Sequence, residues 1–235
     1  MTKMRQFITN ESDWQETFRP THMLRFLGEN AWSERKKNLV IVACFRRIWH
    51  LLKTTRGHRA VEVYEQFIEG KATEEELAIA KEDAWQSSAE IPNPEGNKVP
   101  EQLALGAIGL HFDYRDMLMG ASDATAWAKV GTTEPATDEP EERAQSVLVR
   151  EIFGNPFRPV AFNPAWRTST VMSLAQSVYE ERQLPSGLFD NQRLGVLADA
   201  LEEAGCDNAD ILGHLRGGEE HVRGCHVIDL ILGKE

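Results

Sequence analysis

Residues 33–53 read SERKKNLVIVACFRRIWHLLK, and the periodicity of this stretch sets the fold class. Leu39, Val40, Ala43, Cys44, Ile48, Leu51 and Leu52 recur at spacings of three and four. That pattern lines one face of an α-helix and does not suit a strand, whose side chains alternate with period two. Ser33 supplies an N-cap, so the spacing predicts a helix from about Glu34 to Lys53 with one buried face. Cys44 falls on that face as an inert core thiol.

Working outward, Pro20 after Arg19 suits the first turn of a helix carrying Met23, Leu24, Phe26 and Leu27. Gly57 reads as a break. Beyond it Ala60, Val61, Tyr64, Phe67 and Ile68 form an amphipathic helix that stops at Gly70. Thr73 and Glu76 make a capping box that opens the next helix, through Leu77, Ile79 and Ala80 towards Trp85. Residues 87–100 (SSAEIPNPEGNKVP) read as a loop, helices follow at about 101–119 and 123–130, and 131–140 (GTTEPATDEP) read as a second linker. After a helix at about 141–153, the segment 154–166 (GNPFRPVAFNPAW) carries three prolines that forbid a regular helix. Its Phe157, Val160, Phe162 and Trp166 are nevertheless too apolar for a solvated loop, so an ordered strap is expected. Helices near 170–182, 192–204, 209–215 and 219–232 complete the chain.

Almost nothing alternates with period two. The expected class is therefore all-α, a multi-helix bundle or irregular helical array in one or two lobes with little or no sheet. The expected organisation is an N-terminal helical lobe (1–86), a variable linker with helices (87–140) and a C-terminal helical lobe (141–235). At 235 residues, 41% of them hydrophobic, the chain can bury a core without staples. The net charge of −11 argues against chain-wide affinity for nucleic acid or anionic membranes. Three cysteines are too few for a disulfide framework and fit a reducing compartment, and the N-terminus lacks the apolar run of a secretory signal. A cytoplasmic protein that does not enter a membrane is the expectation.

The residues that can carry chemistry crowd into the C-terminal stretch. Cys206, His214, His221 and Cys225 offer the nitrogen and sulfur donors of a tetrahedral zinc site, although no pair has the short Cys-x-x-Cys spacing of the strongest zinc motifs. The alternative is that the cysteines are small core groups and the histidines cap helices or face solvent. His214, Arg216, His221 and Arg223, each His–Arg pair beside a glycine, also suit a carboxylate or phosphate ligand. Against that reading, the arginines have nearby acids such as Glu202, Glu203 and Asp229. A second cluster lies between Ser33 and Ala60, where Arg35, Lys36, Lys37, Arg46, Arg47, Lys53, Arg56 and Arg59 make a local basic excess. It suits nucleic-acid phosphates, an acidic protein partner, or the acidic stretch 62–101 of the same chain. His111 and Asp113 resemble half of an acid–base pair. No nucleophile elbow, Walker loop, H-E-x-x-H or dinucleotide fingerprint occurs, and no motif argues for an enzyme.

Several of these motifs together resemble a large uncharacterised bacterial family abundant in planctomycetes. They are PTHMLRFL (20–27), ACFRRIWHLL (43–52), EIFGNPFRPV (151–160), LADALEEAGCD (197–207), HVRGC (221–225) and DLILGKE (229–235). The resemblance covers both ends of the chain and implies no particular activity, cofactor or partner. Phe45, Leu215 and His226 depart from the family pattern, the first two where cysteine is common and the third where tryptophan is usual. The leading expectation is a helical interaction or adaptor protein. The alternatives are metal or anion binding at Cys206, His214, His221 and Cys225, or nucleic-acid binding through 34–59.

Overall fold

The computed structural model of the chain describes residues 8–28, 33–92, 99–109 and 139–234. Among these the fold is all-α. The helices are α1 (Glu11–Glu16), α2 (Pro20–Leu27), α3 (Glu34–Arg47), α4 (Thr55–Ile68), α5 (Glu74–Glu90), α6 (Pro100–Gly109), α7 (Glu139–Phe153), α8 (Ser169–Glu180), α9 (Asn191–Glu203), α10 (Ala209–Arg216) and α11 (His226–Leu232). Two 3-10 turns, Trp49–Leu51 and Pro164–Trp166, join them. No strand occurs among the described residues, where one antiparallel bridge pairs Gln183 with Leu188. None of these helices is long and apolar enough to cross a membrane.

The described residues form two compact units, and neither is one continuous stretch of sequence. One draws on Phe18–Thr21 and Lys37–Val147, the other on Met1–Thr17, His22–Lys36 and Leu148–Glu235. The expected boundary near 131–140 falls almost wholly outside the described residues. So do the helix at 123–130, the second half of the helix at 101–119, and the pair His111 and Asp113.

In the unit containing Lys37–Val147, every residue of α3 from Leu39 to Arg46 is buried, so the helix is enclosed well beyond the single face that its periodicity marks. It ends at Arg47 rather than Lys53. The chain tightens there into the 3-10 turn, with the Leu52 amide donating to the Trp49 carbonyl at 3.1 Å, and the Lys53 amide turns to the Glu101 carboxylate at 2.8 Å. Cys44 is a core thiol, its pKa pushed up by burial and by the Glu141 carboxylate. Gly57 does not break a helix. It lies in the first turn of α4, where its amide donates to the Thr54 cap at 3.2 Å. A Cβ at this position would stand 2.6 Å from Leu105 Cδ2, so the missing side chain is what lets α6 approach. The capping box at the start of α5 is formed, with the Thr73 amide on Glu76 Oε2 at 2.7 Å and the Glu76 amide on Thr73 Oγ1 at 3.1 Å. The helix then runs on to Glu90, past the expected stop, because Ser87 and Ser88 are buried and Ser88 Oγ donates back to the Trp85 carbonyl at 2.7 Å.

The other unit holds the C-terminal half of the chain. Tyr179, Phe189, Leu194, Leu197, Leu201, Ile211, Leu215, Val227, Ile228 and Ile231 form its core. The strap 154–166 is ordered as expected. Trp166 packs on this core with Phe162 edge-on at 5.4 Å, and Phe157 stacks on Phe26 at 5.2 Å. The largest departure from the sequence reading lies in 217–225, expected to be helical from Glu219. It is an irregular loop, because Gly218 and Gly224 take φ of +72° and +91°, a region that an α-helix cannot use. The last helix starts only at His226, with Cys225 at its N-cap.

Candidate metal centre

Three elements of this unit bring polar side chains to one buried point. Glu151 sits in the last turn of α7, between the buried Leu148, Val149 and Ile152. His214 lies near the C-terminal end of α10, whose start is fixed by Asn208 capping the Asp210 and Ile211 amides. His221 and Cys225 come from the irregular loop. That loop is held by the Phe189 amide on the His221 carbonyl at 2.8 Å and the Cys225 amide on the Val222 carbonyl at 3.0 Å. The helix that follows is anchored in turn: Arg35 donates to Asp229 at 2.6 Å and to the Tyr179 hydroxyl at 2.8 Å.

At the centre, Glu151 Oε1 is 3.0 Å from His221 Nδ1 and Oε2 is 3.2 Å from His214 Nε2. His214 Nε2 also stands 3.3 Å from Cys225 Sγ. One ligand atom from each of the four residues lies within 4.8 Å of all the others. Glu151, His221 and Cys225 are buried and His214 nearly so, with 16% of its side chain exposed. His221 Nε2 is fully buried and has no hydrogen-bond partner among the described residues. Burial alone would raise the Glu151 carboxyl, but hydrogen bonds from His214 and His221 hold it far below the usual carboxylate range. Burial and the same carboxylate push the Cys225 thiol well above its ordinary value. His226 adjoins the group, its ring 4.4 Å from that of His214 and its Nδ1 2.9 Å from the Glu151 carbonyl oxygen. Burial, and then His214, lower its pKa to about 4, so the ring is neutral at pH 7.

Of the four donors read from the sequence, the structure brings His214, His221 and Cys225 together and leaves out Cys206. The reason is helix length. Cys206 precedes α10 and its Asn208 cap while His214 lies near the far end, the five helical steps from Ala209 to His214 alone spanning about 7.5 Å at 1.5 Å per residue. Cys206 is 2% exposed among core residues, its amide on the Leu201 carbonyl at 2.9 Å. Glu151 completes the group in its place, from 70 residues before His221. Its sequence signal was slight: a carboxylate three residues after Leu148, on a helix face otherwise apolar.

The anion-binding set divides. Arg216 bonds Asp199 at 2.6 Å and Glu202 at 2.7 Å, and Arg223 lies 3.4 Å from Glu180 and over the Tyr179 ring. His214 and His221 face Glu151 instead. The basic stretch is largely engaged with acids of the same chain. Arg46 is buried against Glu65, Arg47 meets Glu141 at 3.5 Å, and Arg56 meets Glu90 at 3.0 Å, while Lys53 and Arg59 face solvent.

No family model, no curated protein and no solved structure matches this chain. Any functional reading rests on the site itself.

Proposed function

We propose that this protein binds a divalent transition metal, zinc by its donor chemistry, through Glu151, His214, His221 and Cys225, and that the ion fastens the C-terminal unit. The observation that carries the reading is the convergence of four ligand atoms of the right types within 4.8 Å, three of the residues buried and His214 nearly so. Thiolate, two imidazoles and a carboxylate are all zinc donors, and a tetrahedral ion at about 2.0–2.3 Å from each keeps its donors about 3.3–3.8 Å apart. Glu151 reaches His221 through Oε1 at 3.0 Å and His214 through Oε2 at 3.2 Å, and His214 lies 3.3 Å from Cys225 Sγ; with one oxygen of Glu151 as donor, all four ligand atoms lie within 4.8 Å, so the widest pair needs to close by about 1 Å. Charge favours the same conclusion. A dication beside one thiolate and one carboxylate gives a neutral centre, which offsets the cost of burying both charges.

Four protein donors and deep burial describe a closed site, the kind that contributes folding energy rather than activating water. The ion would join the end of α7, the end of α10 and the start of α11, and would tie down the irregular loop 217–225 through His221 and Cys225. Elemental analysis of untagged protein purified without chelator tests this. About one equivalent of zinc per chain, lost in the Cys225→Ala and His221→Ala variants, is the expected result; less than about a tenth of an equivalent in the unaltered protein after zinc is supplied would end the reading.

A further inference from the structure

We infer that His226 is a positioning residue for this centre: it holds the last turn of α7 so that the Glu151 carboxylate faces the other donors, and it does not itself bind the ion. The inference rests on the metal reading above.

The last carbonyls of a helix have no partner within it, and its final turn frays unless something outside takes them up. Glu151 lies in that turn, since α7 ends at Phe153. Its carbonyl oxygen accepts a hydrogen bond from His226 Nδ1 at 2.9 Å, so the ring carries its hydrogen on Nδ1, and His226 is not among the four residues whose ligand atoms converge within 4.8 Å. The same residue thus presents its backbone to His226 and its side chain to His214, His221 and Cys225. If the carbonyl is released, the carboxylate shifts with it.

Two further features fix the ring. Gly154 ends α7 at φ +69°, and a Cβ there would stand 2.9 Å from His226 Cδ2 and 3.1 Å from Cγ, so the ring occupies space that only glycine leaves open. On another side lies the His214 ring, with centroids 4.4 Å apart and planes inclined at 56°. Cys225 immediately precedes His226 at the N-cap of α11. The start of one helix therefore supplies a donor to the centre and a grip on the helix that carries the opposing donor. Outer residues of this kind orient the ligands they touch, and losing one weakens metal affinity by about 10- to 100-fold.

The test uses the full chain loaded with Co(II), whose d–d bands report coordination geometry and whose sulfur-to-metal charge-transfer band reports Cys225. His226→Phe keeps the ring volume and removes the donor; His226→Gln restores a side-chain N–H. The expected result is affinity about 10- to 100-fold weaker in His226→Phe, altered d–d bands, a retained charge-transfer band, and recovery of most of the loss in His226→Gln. Equal affinity and identical bands in all three proteins would overturn the inference. Nitrogen-15 NMR of histidine-labelled, zinc-loaded unaltered protein gives a second reading that needs no variant. His226 must show a protonated Nδ1 and an Nε2 that carries no metal, and a bare Nδ1 or a metal on either nitrogen refutes the assignment. If the unaltered protein takes up neither cobalt nor zinc, the metal reading itself falls, an outcome distinct from binding that ignores His226.

Discussion

Replacing Cys225 by alanine has two different costs, depending on whether a metal is present. In the metal-free protein the residue is a fully buried thiol at an N-cap position where it makes no side-chain cap hydrogen bond. Cys225→Ala then removes one sulfur from a packed interior, about the size of a methylene group, at a cost of about 1–1.5 kcal/mol. In the loaded protein it also removes a ligand. A metal present at 1,000 times its dissociation constant stabilises the folded state by about 4 kcal/mol, and losing most of that lowers the midpoint of the affected transition by about 8–16 °C. Thermal unfolding followed by circular dichroism, for unaltered protein and Cys225→Ala with zinc or with excess chelator, gives the four values needed. Chelation is expected to lower the unaltered protein's transition strongly and to leave the variant almost unchanged, so that the two nearly coincide without metal. Equal losses from the substitution in both conditions, or no response of the unaltered protein to chelator, would refute the reasoning.

Zinc affinity should rise with pH by about tenfold per unit for each proton displaced, because burial and Glu151 hold Cys225 protonated until the ion takes its place; competition titrations from pH 6 to 8 measure the slope. Gly154→Ala should cost about 1–3 kcal/mol, since it meets both a positive φ and the His226 ring, and chemical denaturation reads the loss. In the other unit, breaking the buried Arg46–Glu65 pair by Glu65→Leu alone should cost about 3–5 kcal/mol, and adding Arg46→Met should recover much of it in the same assay. The Glu76 carboxyl is held below its ordinary value of 4.5 by the Thr73 amide and hydroxyl. Its capping contribution is therefore complete above that pH and lost as acidification carries it through its lower folded value. Glu76→Gln should flatten the stability of α5 below pH 4.5 when hydrogen exchange follows the helix.

Local chemistry alone determined much of this protein. Three- and four-residue spacing specified helices because each turn returns to the same face. Thr73 with Glu76, Ser33 and Gly70 marked helix ends because caps act over a few residues along the chain. The strap 154–166 was legible for the same reason, since proline removes the helix donor within its own residue. What only the tertiary structure decided involves partners distant in sequence. Gly57 looked like a break because its packing against Leu105 has no signature in the residues around it. Residues 219–225 looked helical because the positive backbone φ at Gly224 is chosen by the contacts that the loop makes. The basic cluster left nucleic acid, a partner and the stretch 62–101 all open for Arg46, and only the fold set Glu65 beside it. The candidate site shows the division most plainly. Three donors from the C-terminal stretch could be named from the sequence, but the fourth could not, because Cys206 was nearer in the chain and Glu151 is nearer in space. A helix separates donors in proportion to its length, and only the folded chain carries the end of α7 to the end of α10.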